Sequence, residues 1–188
     1  MVRPWLYRAS VIGFLRFVGV VNAAVWLGAT LFGTLGVSLA MYSDDMKALL
    51  GPNNFPYFSG AMVQVVQVRL SHLHWLCSAV AAAHLFAEWL YLGRPLRRLT
   101  SYLLLGMILW GLAGDAVIGP HIARYHRACH AVNATAVSRQ TAARALRWWN
   151  GLAQIGNALL LTSLVVYLWR VANPPTETRF VPAVKLRS

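Results

Sequence analysis

The sequence predicts an all-α fold, an integral membrane four-helix bundle formed as a single domain over residues 1–188. Three observations predict it. Of the 188 residues, 58% are hydrophobic and only 12% charged, with a mean hydropathy of +0.53, too little charge to cover a water-facing surface. The apolar residues gather in four stretches, each near the roughly 20 residues a helix needs to cross about 30 Å of hydrocarbon. The basic residues cluster at the ends of those stretches.

The first span, 17–41, carries no charge and follows Arg3, Arg8 and Arg16. A secretory signal cleaved near Leu39-Ala40 is the competing reading, but roughly 24 uninterrupted apolar or small residues exceed a signal's apolar core. An anchored helix is therefore expected. The loop from Tyr42 to Tyr57 holds Asp44, Asp45 and the turn-forming Gly51-Pro52-Asn53-Asn54. After it, FSGAMVQVVQVRL reads as a half-polar helix leading into the second span, 74–92. The third span, 101–118, closes at Gly119-Pro120, and the fourth, 148–171, at Pro174-Pro175. Between them, residues 120–147 are rich in Ala and Arg and predict an amphipathic helix on the membrane surface. Residues 172–188 form a basic tail.

Lys and Arg outnumber Asp and Glu 17 to 5, a net charge of +12. Because these cations lie at span ends, the expected anionic partner is lipid headgroups and not nucleic acid. Ten of them fall on the side of the termini and the loop of Arg94, Arg97 and Arg98, against seven on the other, which predicts an inner-membrane, multi-pass protein with both termini cytoplasmic. Cys77 and Cys129 sit in different segments and form no metal-type pair. Asn133-Ala-Thr135 fits the glycosylation pattern, which recurs by chance.

Within the second span, Gln67, His74, Cys77, Ala81, His84 and Glu88 fall on one helical face. The first span offers a seam of Asn22, Trp26, Ala29, Gly33, Gly36 and Ala40, the kind of small-residue pattern that lets helices approach closely. The fourth contributes Asn150, Gln154 and Asn157, the third Asp115 alone. Counting 1.5 Å per residue puts Asp115 about 21 Å from the inner surface. Two polar layers are thus expected: His74, Asp115, Asn157 and Gln154 in the outer, Asn22, His84 and Glu88 in the inner.

An ionised carboxylate in hydrocarbon costs several kcal/mol, so Glu88 and Asp115 are expected to face the bundle. Three readings of the layers stay open. The groups cross-link helices in a structural or accessory subunit, each bond contributing about 0.6 to 2 kcal/mol; or they carry a proton or metal ion; or His74 or His84 ligates haem b. One iron cannot take both histidines, which lie about 15 Å apart along one helix axis, and no other span holds a histidine. His126 and His130, four apart beside Cys129, are candidate metal ligands in the third loop. No nucleophile motif, phosphate-binding glycine loop or catalytic carboxylate pair is found, so no enzyme is expected and no cofactor is predicted.

Three stretches together, VWLGATLFGT, VQVRLSHLHWL and RWWNGLAQIGNALLL, with Pro120 after the third span, resemble the four-helix membrane family typified by animal transmembrane protein 205 and an uncharacterised bacterial branch of it. The likeness covers most of residues 17–171. It implies the same four-span fold, in a family for which no enzymatic activity is established, and at most a transport or trafficking role of the kind associated with drug and metal-complex resistance. The chain departs from that pattern at His72 and His74, where the family tends to proline and tyrosine. At Asn150-Gly151 the family often has His-Gly, while Asn157 keeps its asparagine.

Overall fold

The computed structural model describes residues 4–92 and 98–173. All regular structure among them is helical. Helix α1 (Pro4–Leu31) passes through a π-helical turn, Phe32–Val37, into α2 (Ser38–Met41); α3 (Asp44–Leu50) is short; α4 runs Phe55–Leu92. Helix α5 (Arg98–Ala113) continues through a second π turn, Gly114–Ile118, into α6 (Gly119–Cys129), and α7 runs Ala136–Ala172. Four helical rods result, each long and apolar enough to cross a membrane: 13–41, 55–90, 98–129 and 136–172. The chain has the character of a multi-pass membrane protein. The basic loop 93–97 and the tail beyond residue 173, both read as basic clusters in the sequence, lie outside the described residues.

The rods pack in a closed ring, α1 against α4 and α7, and α5 against α4 and α7. Consecutive rods are antiparallel, so the start of α1, the end of α7 and the α4–α5 link share one end of the bundle, the terminal end. The α1–α4 connection and the α6–α7 loop share the other, the loop end. One core cluster draws on all four: Ala23 and Trp26, Cys77 and Ala81, Leu104 and Met107, and Leu160, Leu164 and Tyr167. Outside it the bundle is coated with apolar side chains, among them Phe17, Leu76, Leu105, Leu159 and Trp169. Such a surface has no stable place in water and suits acyl chains, where the backbone bonds of each rod are already satisfied internally.

The rods are longer than the spans expected from hydropathy. Helix α4 has 38 residues, about 57 Å at 1.5 Å per residue, nearly twice the hydrocarbon thickness. The half-polar helix before the second span is simply its first turns. The stretch 120–147 is not one surface helix: α6 extends the third rod, and the first three turns of α7 extend the fourth, packed antiparallel against each other. Exposed Arg69, Arg124, Arg127, Arg139, Arg144 and Arg147 mark these extensions, because guanidinium groups stay out of hydrocarbon.

Local signals account for the rod ends. Ser43 caps α3, its Oγ accepting from Met46 N–H at 3.2 Å, with Asp44 and Asp45 in the positive first turn. Gly51 ends it at φ 73, a conformation that favours glycine. Thr135 caps α7 by accepting from Ser138 N–H. The second π turn precedes Pro120, whose ring would crowd the carbonyl four residues back in an α-helix, and Gly119 N–H reaches Gly114 O instead.

Close approach of rods rests on glycine seats. A Cβ on Gly156 would collide with the Trp110 indole, and one on Gly33 with Leu70. Alanine normally stabilises a helix by about 1 kcal/mol over glycine. At position 156 the clash reverses that sign: Gly156→Ala is expected to lower stability by about 1–3 kcal/mol. Gly106→Ala, where a Cβ meets nothing within 4 Å, is expected to leave stability unchanged or raised, both read by thermal unfolding in detergent.

Candidate functional site

The inward face of α4 carries the polar residues of the bundle, in the order His74, Cys77, Ser78, His84, Glu88 from loop end to terminal end. Cys77, Ser78 and His84 are buried, His74 and Glu88 half-buried, and Gln67 is exposed near Arg69. Of the stripe read from the sequence, Cys77, Ala81 and His84 are buried, and Gln67 is not.

His74 joins three rods. Trp26 Nε1–H of α1 donates to its Nδ1 at 3.2 Å, with the rings edge to face at 5.0 Å. Since Nδ1 accepts, Nε2 carries the proton and donates to the Met107 carbonyl of α5 at 3.1 Å. Gly111 makes room for the ring: a Cβ there would sit 2.5 Å from Nε2. Both nitrogens are thus engaged, and His74 is a cross-link. Asn22 makes another, donating from Nδ2 to the Cys77 carbonyl at 3.0 Å, which places it nearer the middle of the bundle than the layer with His84 and Glu88 expected for it.

Asp115 rides on the second π turn. Its carboxylate accepts from Trp75 Nε1–H at 2.7 Å, and Ser71 Oγ lies 2.7 and 2.6 Å from its two oxygens. Both partners come from α4, one turn apart, beside the first π turn, where Leu70 covers Gly33. Asp115 does not join His74 directly, and its own residue is exposed, so the outer layer divides into a buried His74 node and a more superficial Asp115 clamp. Asn157 is half-buried and Gln154 exposed on the outer face of α7, outside either node. Ser71 and Trp75 escaped the sequence reading; their four-residue spacing on one helical face was the available signal.

His84 differs from His74. It is 6% exposed, wedged between α1 and α7, where a Cβ on Gly19 would lie 2.7 Å from its Nε2 and 2.9 Å from a methyl of Val171. Neither ring nitrogen finds a hydrogen-bond partner among the described residues, nor do the buried Tyr167 hydroxyl and Ser78 Oγ. Glu88 lies one turn further toward the terminal end, where the Arg16 guanidinium donates to the Ala172 carbonyl and closes α7. Of the two histidines weighed as haem ligands, only His84 keeps its nitrogens unengaged.

At the loop end, His126 is buried against Gly60 of α4 and stacks on Tyr57 at 5.4 Å. His130 lies beside it, ring centroids 4.9 Å apart, with Nδ1–H donating to the His126 carbonyl at 2.9 Å. The candidate metal pair is therefore adjacent as its spacing predicts. Among the described residues, no group of three or more His, Cys, Asp or Glu side chains gathers as ligands. Below this cluster, His121 stacks on Trp149 at 4.3 Å and ties α6 to α7.

Comparison with protein-family models, curated proteins and solved structures gives no match.

The His74 node makes a quantitative expectation. In a double-mutant cycle of Trp26→Phe and His74→Phe, the coupling energy is expected near the range of about 0.6 to 1.7 kcal/mol found for interhelical bonds in membranes. Equilibrium unfolding in mixed micelles measures it, and additive single-mutant effects would show that the bond contributes nothing.

Proposed function

We propose that the chain is a non-enzymatic accessory subunit that packs beside other proteins in the inner membrane, as a member of the four-helix family it resembles. The observation that carries this reading is the engagement of His74: its two nitrogens, like Asn22 and the Asp115 carboxylate, are used to hold rods together. A second feature supports lateral contact. Gln154 is an exposed amide on a largely apolar face with Ile155, Leu159 and Val165, where the Thr162 hydroxyl is bonded to its own helix, about 10 Å along α7 from Arg147. An amide at that depth gains most from a partner's hydrogen bond. The excess of basic residues at the terminal end supports a cytoplasmic placement of both termini.

Photocrosslinking tests the contact. A photoreactive residue at position 154 is expected to give one discrete protein adduct in native membranes, while the same residue at Leu76 gives only lipid adducts. Lipid adducts alone from both positions would remove the accessory reading.

The unengaged nitrogens of His84 favour a second reading, a proton path along the α4 stripe. An imidazole has one nitrogen that accepts and one that donates, the chemistry a relay group needs. On this reading His84→Phe and Glu88→Gln each abolish proton flux in reconstituted vesicles. Wild-type flux that persists in both variants, or its absence from the wild type, excludes it.

A further inference from the structure

Between α4 and α5, at the terminal end, the two rods part to leave a groove of about 260 Å³ that opens onto the membrane. Its walls are Leu85, Phe86 and Trp89 of α4 and Leu104, Leu105 and Ile108 of α5, with Ala82 and Ser101 completing the lining. Two polar features break this apolar surface, both on the first turns of α5. Ser101 Oγ is buried and finds no hydrogen-bond partner among the described residues. Arg98, exposed, stands one helical turn before Ser101, at the start of α5.

The order of these features along α5 is the order of groups along a glycerophospholipid. A phosphate-bearing headgroup comes first, an ester carbonyl about one helical turn deeper, and a hydrocarbon chain beyond. We infer that this groove is a binding site for one anionic glycerophospholipid, with its headgroup at Arg98, an ester carbonyl accepting from Ser101 Oγ, and an acyl chain laid along Leu104, Leu105 and Ile108. The apolar lining excludes a polar solute, and lipid is the solvent on which the groove opens. The cation one turn before Ser101 selects among lipids by charge, and the hydroxyl acquires an acceptor that the described residues do not supply. Trp89, half-exposed on the opposite wall, lies at the depth where indoles sit beside headgroups.

Native mass spectrometry of the full chain, released from vesicles of equal phosphatidylglycerol and phosphatidylcholine, tests the assignment. One phosphatidylglycerol is expected to stay bound through delipidating detergent that strips phosphatidylcholine. Arg98→Gln is expected to weaken its retention about fivefold, the effect of one cation near a charged membrane surface. Ala82→Phe, which fills the groove and leaves both polar groups in place, is expected to abolish retention. Equal retention of the two lipids, or phosphatidylglycerol retention unchanged in Arg98→Gln, overturns the site. Arg98 is exposed, so that variant decides the matter even if Ala82→Phe does not fold, and circular dichroism confirms helicity in each.

Discussion

Helices in lipid gain no hydrophobic reward for meeting, because acyl chains are as apolar as leucine. What holds this bundle together has to be fit and polar bonding, and the His74 imidazole supplies both. It is anchored by an indole of α1 and a carbonyl of α5, and it lies flush against Gly111. The same device recurs: His84 lies in the notch of Gly19, His126 in that of Gly60, Trp110 in that of Gly156. A flat ring against a bare backbone gives more van der Waals contact per turn than two branched side chains, and each notch fixes the register of one pair of rods.

The consequence is a division of labour along α4. Toward the loop end, His74 is bonded on both nitrogens and His121, His126 and His130 pack on neighbouring rings, although His126 Nε2, Ser59 Oγ and Gln64 Nε2 are buried without partners among the described residues, and the rods carry exposed arginines. Toward the terminal end, His84, Tyr167 and Ser78 are buried without partners among the described residues, and the α4–α5 contact opens into a groove. His84, with both nitrogens unengaged among the described residues, and the groove lie in the same half of the bundle.

Much of this was legible in the sequence, and for a physical reason. Apolar runs of about 20 residues and cations at their ends report the bilayer directly. The stripe of Cys77, Ala81, His84 and Glu88 follows from helical periodicity alone. Depth was less legible. Counting residues assumed uninterrupted α-helix, but the π turn at Gly114–Ile118 inserts a wider turn and aims Asp115 at Ser71 and Trp75 instead of His74. Hydropathy also gives no measure of the full length of the rods, since it reports where lipid stops and not where a helix stops. Residues 55–73 and 136–147 continue their rods in a polar dress. The amides of α7 were expected inward by analogy with the other polar groups, yet Gln154 faces out, because the inner side of that turn is taken by Gly156 and the Trp110 indole.

Helix α4 has no break from Phe55 to Leu92. Tyr57 and Gly60, which contact the His126 cluster, and His84, in its glycine notch, are therefore fixed to one stiff shaft. The loop-end cluster and the buried imidazole are thus held at a fixed separation along a single rod.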